Sequence, residues 1–112
     1  MGNKMVNAAL PLEVATAIAR LGENVRVARV RRRLSQEELA QACFVTRKTV
    51  YALEKGAPGA TLATAFSVLW KLGLLHTAAP LADPDADEHG RILEAARQPQ
   101  RVRQPVSSDN DF

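Results

Sequence analysis

One cysteine, two histidines and five aromatic residues among 112 positions exclude several kinds of protein at once. Cys43 has no second thiol to pair with, so an intramolecular disulfide is impossible and a reducing compartment is expected. On the inward side of a helix it reads as a small hydrophobe. His76 and His89 lack the spacing of a zinc site, and Ser107 and Ser108 have no base or oxyanion device near them in the chain. No catalytic constellation, metal or cofactor is therefore expected. No apolar run approaches the roughly 20 residues that cross a bilayer. The start MGNKMVNAAL has no signal-peptide core, and Val6 breaks the myristoylation pattern. A soluble, cytoplasmic protein without a membrane partner is the expectation. With 46% apolar residues but only 4% aromatic, the core must come from Leu, Val and Ala on helices, which points to the all-α class.

The formal net charge of +3 is modest, and its distribution carries more information. Residues 20–56 hold nine Lys or Arg against four Glu, a balance of +5, whereas residues 83–94 hold five acids against one Arg, a balance of −4. A basic patch beside an acidic segment suits a protein that meets nucleic acid on one side. Asp83, Asp85, Asp87 and Glu94 fall at positions 1, 3, 5 and 12 of an EF-hand loop, but Glu88 stands where that loop requires glycine. These acids fit a helix start better.

Along the chain, residues 1–10 read as a disordered lead-in and 11–76 as one folded domain. Pro11 suits a first helical turn, and Leu12, Ala15, Ile18, Leu21, Val25 and Ala28 recur at helical steps. The spacing predicts one helix over 12–33, with Gly22 as a weak point. Thr61 caps a fourth helix over 62–72, closed by Gly73, with Leu62, Phe66, Leu69 and Leu72 as its inward stripe. Asp83-Pro84 opens a fifth, within a segment 77–98 whose apolar face (Ile92, Leu93, Ala96) is a candidate for dimerisation. Residues 99–112 read as a flexible tail.

The stretch LSQEELAQACFVTRKTVYALEKG, residues 34–56, is the most informative. Ser35 is a good N-cap and Glu38, three residues on, completes a capping box. Leu39, Ala42 and Val45 then point inward. Thr46 caps a second short helix over 47–55, which Gly56 closes. Val50 and Leu53 share one face of it, leaving Arg47, Lys48, Thr49, Tyr51 and Ala52 elsewhere. Two helices joined by a tight turn, the second with a basic N-terminal end, are what a helix-turn-helix needs to enter the major groove.

On these residues the segment 25–74 resembles the Xre/Cro family of helix-turn-helix repressors. The likeness lies in Arg29, L-S-Q-E-E-L-A, the V-T-R-K-T-V element and L-E-K-G. The continuation GAPGATLATAFSVLWKLGLL, then LADPDADEHGRILEAAR and RVR, is similar to the HipB-like antitoxins, which are encoded beside HipA-type serine/threonine kinase toxins. The resemblance implies a lambda-repressor-like domain of four to five helices, acting as a homodimer on a near-palindromic double-stranded operator. It also implies transcriptional repression, autoregulation of a toxin-antitoxin operon and a HipA-like kinase as protein partner. By position, Arg47 and Lys48 would read bases, guanine above all. Ala52 departs from the family pattern and offers only apolar contact, with Tyr51 replacing some of the lost reach. Gln36 would sit over a phosphate, and Ser35, Thr46, Thr49 and Lys55 would join it on the DNA backbone. Arg29 and Glu54 match a family ion pair between the first helix and the end of the recognition helix.

Some residues read two ways. Arg31, Arg32 and Arg33 suit a phosphate clamp, or simply a solvated face whose charge opposes the helix dipole. Trp70 falls off the inward stripe, so it is either partly buried or part of an interface with a second copy or a partner. Phe112, at the end of an acidic tail, is either a docking element or part of a degradable end. A stand-alone or phage-type repressor without a toxin, and a protein-interaction module on the same fold, remain alternatives.

Overall fold

Polar side chains set where the helices begin. The computed structural model describes residues 9–97, which contain five α-helices and no strand: α1 (Leu12–Arg31), α2 (Gln36–Ala42), α3 (Arg47–Glu54), α4 (Leu62–Lys71) and α5 (Glu88–Arg97). The protein is all-α. Ser35 and Glu38 close the capping box in both directions, with Ser35 Oγ accepting from Glu38 N at 3.0 Å and Glu38 Oε1 accepting from Ser35 N at 2.8 Å. Thr46 Oγ1 accepts from Thr49 N at 3.2 Å, and Thr61 Oγ1 from Thr64 N at 3.1 Å. Each satisfies one backbone N–H that the helix itself leaves free.

The helix ends follow one rule with two kinds of residue. α1 to α4 all stop in a Schellman pattern, in which the residue after the cap turns left-handed and the next N–H reaches back to a carbonyl five residues earlier. After α3 and α4 that residue is Gly56 (φ 79°) or Gly73 (φ 78°), with Ala57 N donating to Ala52 O at 2.9 Å and Leu74 N to Leu69 O at 2.7 Å. After α1 and α2 it is Arg33 (φ 57°) or Phe44 (φ 58°), with Leu34 N on Arg29 O at 3.2 Å and Val45 N on Ala40 O at 3.0 Å. The first helix therefore ends two residues before the expected Arg33. A Cβ in this conformation costs about 1–2 kcal/mol. Phe44 is 95% exposed, so packing recovers little of that. Phe44→Gly is expected to stabilise the fold by about 1 kcal/mol, read as a higher urea midpoint at unchanged slope. A lower midpoint would mean that the ring has a structural contact.

The chain forms two compact units that divide between Ala78 and Ala79. In the first, α1 to α4 enclose Val25, Leu39, Val50, Leu53, Val68 and Leu72, all at 2% exposure or less. Burying a side chain of this size contributes about 1.5–3 kcal/mol. Gly22, expected as a weak point, is a contact point instead. It lies buried inside an unbroken α1, where a Cβ would fall on the carbonyl oxygens of Leu53 and Glu54. The inward side of α4 also differs from the expected stripe: Ala65 and Val68 join Leu69 and Leu72 in the core, Phe66 is partly buried, and Leu62 is 69% exposed. Leu12 and Ala15, expected on the buried side of α1, are exposed; its core contacts come from Val25 and Ala28.

In the second unit Asp83-Pro84 opens a single 3-10 turn (Pro84–Ala86), and α5 starts four residues later than Pro84. Asp83 Oδ1 accepts from Asp85 N at 2.9 Å and Asp87 Oδ1 from Gly90 N at 2.9 Å, so these acids act as local caps. Ile92 and Leu93 on α5 are exposed. The expected lead-in up to residue 8, the tail and Phe112 lie outside the described residues.

Candidate nucleic-acid interface

α3 is held by one side and open on the others. Val50, Leu53 and Glu54 are buried, which turns the N-terminal end of the helix and its Tyr51 side outward. Thr46, Arg47 and Lys48 are exposed there, Thr49 and Ala52 are half-buried, and Tyr51 is exposed with Lys55 Nζ lying 5.6 Å from its ring centre. That cation–π contact ties Lys55 to the same outer surface. Between α3 and the start of α4 runs a groove of about 620 Å³, lined by Thr46, Lys48, Thr49, Ala52, Thr61 and Thr64 among others. The Thr46 and Thr49 hydroxyls hydrogen-bond each other at 2.9 Å across its edge.

A polar chain of four side chains runs from beneath this surface out to Arg47. Arg29 Nε meets Glu54 Oε2 at 2.6 Å and its second terminal nitrogen meets Glu54 Oε1 at 3.0 Å. The side chains are 13% and 3% exposed, so this two-pronged pair is largely shielded from water. Arg29 also donates to Leu34 O at 2.8 Å, which binds the turn after α1 to the pair. Gln36 Nε2 donates to Glu54 Oε1 at 3.0 Å, and Gln36 Oε1 accepts from the Arg47 guanidinium at 3.1 Å. Gln36, expected over a phosphate, thus has both ends of its amide engaged by side chains of the protein, one part-buried and one at the surface.

The nine basic residues of 20–56 are not equivalent. Arg26 pairs with Glu23 at 2.8 Å on the surface, and hydrogen bonding from Arg26 holds the Glu23 carboxyl below its ordinary pKa. Among the described residues, Arg26 and Arg29 alone of the nine have a carboxylate partner. Arg32 donates to Ala28 O at 2.8 Å, serving the end of α1, while Arg31 and Arg33 stand exposed and make no such bond among the described residues. Cys43 is half-buried against Ser67 O at 3.7 Å, and burial raises its thiol pKa despite the charge of Lys71.

Two features of this region were not legible by spacing. The contacts of Gln36 with Glu54 and Arg47 join residues 18 and 11 apart in sequence, and no periodicity announces them. The left-handed turn at Phe44 is the other, because a phenylalanine, unlike a glycine, does not mark a helix end. On α4, Trp70 is 64% exposed.

Compared with family models, curated proteins and solved structures, the chain matches none. Its function therefore rests on its own residues. Among the described residues no three of His, Cys, Asp and Glu gather as they would around a metal ion. No helix among them is long and apolar enough to cross a membrane.

Proposed function

We propose that this protein is a sequence-specific DNA-binding transcriptional repressor that works as a cytoplasmic homodimer and performs no chemistry. The observation that carries the reading is the outward N-terminal turn of α3. Arg47 and Lys48 are exposed at the N-terminal end of a helix anchored by Val50, Leu53 and Glu54, so the two cations are presented on a rigid support. The helix before it, α2, starts beside this turn through the Gln36–Arg47 contact, the arrangement in which one helix crosses the DNA backbone and the next enters the major groove. Two copies on a near-palindromic operator would place their α3 helices about 34 Å apart. The finer part of the proposal, an antitoxin that represses its own operon and holds a HipA-like kinase, is supported by the resemblance to HipB-like chains.

A protein-interaction role on the same scaffold is the second reading. Two large aromatics favour it, Phe44 at 95% and Trp70 at 64% exposure, because isolated exposed aromatics are typical of interface anchors.

Fluorescence anisotropy with the duplex upstream of the gene separates the two. Under the repressor reading, binding exceeds that to a scrambled duplex and weakens steeply with salt. Arg47→Ala with Lys48→Ala then weakens the preferred duplex about 100-fold, at ~1–3 kcal/mol for each base contact. Weak binding that ignores sequence and both substitutions would transfer the case to the interaction module.

A further inference from the structure

We propose that the outer face of the first half of α1 docks a second copy of this chain, antiparallel and in a register that sets Glu13 of each copy against Arg20 of the other. The proposal rests on the homodimer of the reading above and names its face, and its test uses no DNA.

α1 starts well before its core does. Its buried residues, Gly22, Val25 and Ala28, all lie in its second half, while Leu12 is 80% exposed and Glu13, Thr16, Ala17 and Arg20 are exposed as well. The inner side of this half leans on the turn after α3, where Gly56 leaves no room for a Cβ beside Ala19. The outer side borders a groove of about 530 Å³, and every described residue that lines it belongs to α1. Most helical stability in proteins comes from packing one face against something, so an open stretch of this length suits a helix that meets a partner.

The face is complementary to itself. At 3.6 residues per turn, Glu13 and Arg20 lie within about 20° of each other around α1 and about 10 Å apart along it. Among the described residues neither makes an ion pair, and the acid that follows Arg20, Glu23, is taken by Arg26 at 2.8 Å. A twofold axis at the level between Thr16 and Ala17 brings Glu13 opposite Arg20 of the second copy and Arg20 opposite its Glu13, because both positions are equally far from that level. Thr16 and Ala17 flank the charged line, one on each side, and each meets its own counterpart at the axis. Both are small enough for the helices to approach to about 8–10 Å. A parallel pairing would set Glu13 on Glu13 and Arg20 on Arg20, so charge selects the antiparallel one.

The test is sedimentation equilibrium of the full-length chain over a concentration series, at low and high salt. The wild-type chain is expected to form a dimer whose dissociation constant rises with salt, as charge pairing at a solvated contact requires. Glu13→Arg and Arg20→Glu each put two like-charged pairs into the contact and are expected to raise that constant at least about tenfold. Glu13→Arg combined with Arg20→Glu exchanges the signs and is expected to return it to within about threefold of wild type. Ala17→Cys in a Cys43→Ser background gives an independent reading. The register brings the two copies of residue 17 within the roughly 4.4–6.8 Å Cα separation of a disulfide, so mild oxidation should cross-link them. Val14→Cys, on another face of α1, should cross-link far more slowly.

A dimer that ignores both single reversals, or that the exchange fails to rescue, would overturn the proposal and leave the homodimer to another face. Cross-linking of Val14→Cys as fast as Ala17→Cys would overturn it too. A chain that stays monomeric at every concentration would sink the proposal and the homodimer together, with the DNA-binding reading of α3 still standing.

Discussion

Glu54→Ala is expected to destabilise the helical domain by about 3–5 kcal/mol, the range for stranding one member of a buried ion pair. The substitution removes the acceptor for three donors, two from Arg29 and one from Gln36. Arg29 would keep only its bond to Leu34 O among these contacts, in a pocket that leaves its side chain 13% exposed. Domains of this size have about 5–15 kcal/mol in total, so the loss is a large fraction of stability. Followed by circular dichroism, the melting temperature should fall by on the order of 15–25 °C. The double variant Arg29→Met, Glu54→Leu should recover most of that fall, because an apolar pair of similar volume leaves no charge stranded. A single variant within about 1 kcal/mol of wild type would show the site to be wet enough to solvate the lone guanidinium.

Gly22→Ala is expected to destabilise although it improves the helix. In an open helix interior the change gains up to about 1 kcal/mol. Here the new Cβ would fall on Leu53 O, and lie 2.7 Å from Glu54 O and 2.9 Å from Glu54 C. These are backbone atoms, which have no rotamer to move to, so α1 and α3 must separate. Overpacking of this kind costs about 1–3 kcal/mol, and displacement of Glu54 from Arg29 adds to it. A net loss of about 2 kcal/mol in urea unfolding is the expected result, and Gly22→Val should lose more. Stabilisation of Gly22→Ala by the full helix-propensity gain would mean that the two helices do not touch as described.

Local chemistry carried much of this fold into the sequence. Ser35, Thr46 and Thr61 each announce a helix start, because an N-cap hydroxyl needs only the backbone N–H three residues ahead. Gly56 and Gly73 announce two ends for the same reason. Arg33 and Phe44 do the same task without the glycine signal, so two of the four Schellman ends carry no mark in residue type. Asp83-Pro84 carries a strong helix-start signature, yet it opens a 3-10 turn and Asp87 caps α5 in its place. Competing caps four residues apart are close in energy, and composition cannot rank them.

The candidate interface divides in the same way. Exposure of Lys48 follows from the spacing of Val50 and Leu53, which puts it on the opposite face, whereas Arg47 lies along the stripe of Glu54 and is exposed as the first residue of the helix. The role of Gln36 does not follow, because at the start of a helix it suits a phosphate equally well. Its direction is decided by Glu54, 18 residues away.

The amino-acid sequence by itself determined the all-α class, three capped helix starts, the two glycine-marked ends and the basic end of α3, because each depends on residues within about one helical turn. Tertiary structure alone decided that α4 buries Ala65 and Val68 while exposing Leu62, and that Gly22 is the place where α1 meets α3. It also decided that Gln36 and Arg47 join the expected Arg29–Glu54 pair in one chain. Those outcomes depend on how helices rotate against one another, a balance of packing and hydrogen bonding between groups far apart in sequence, which hydrophobic periodicity does not encode.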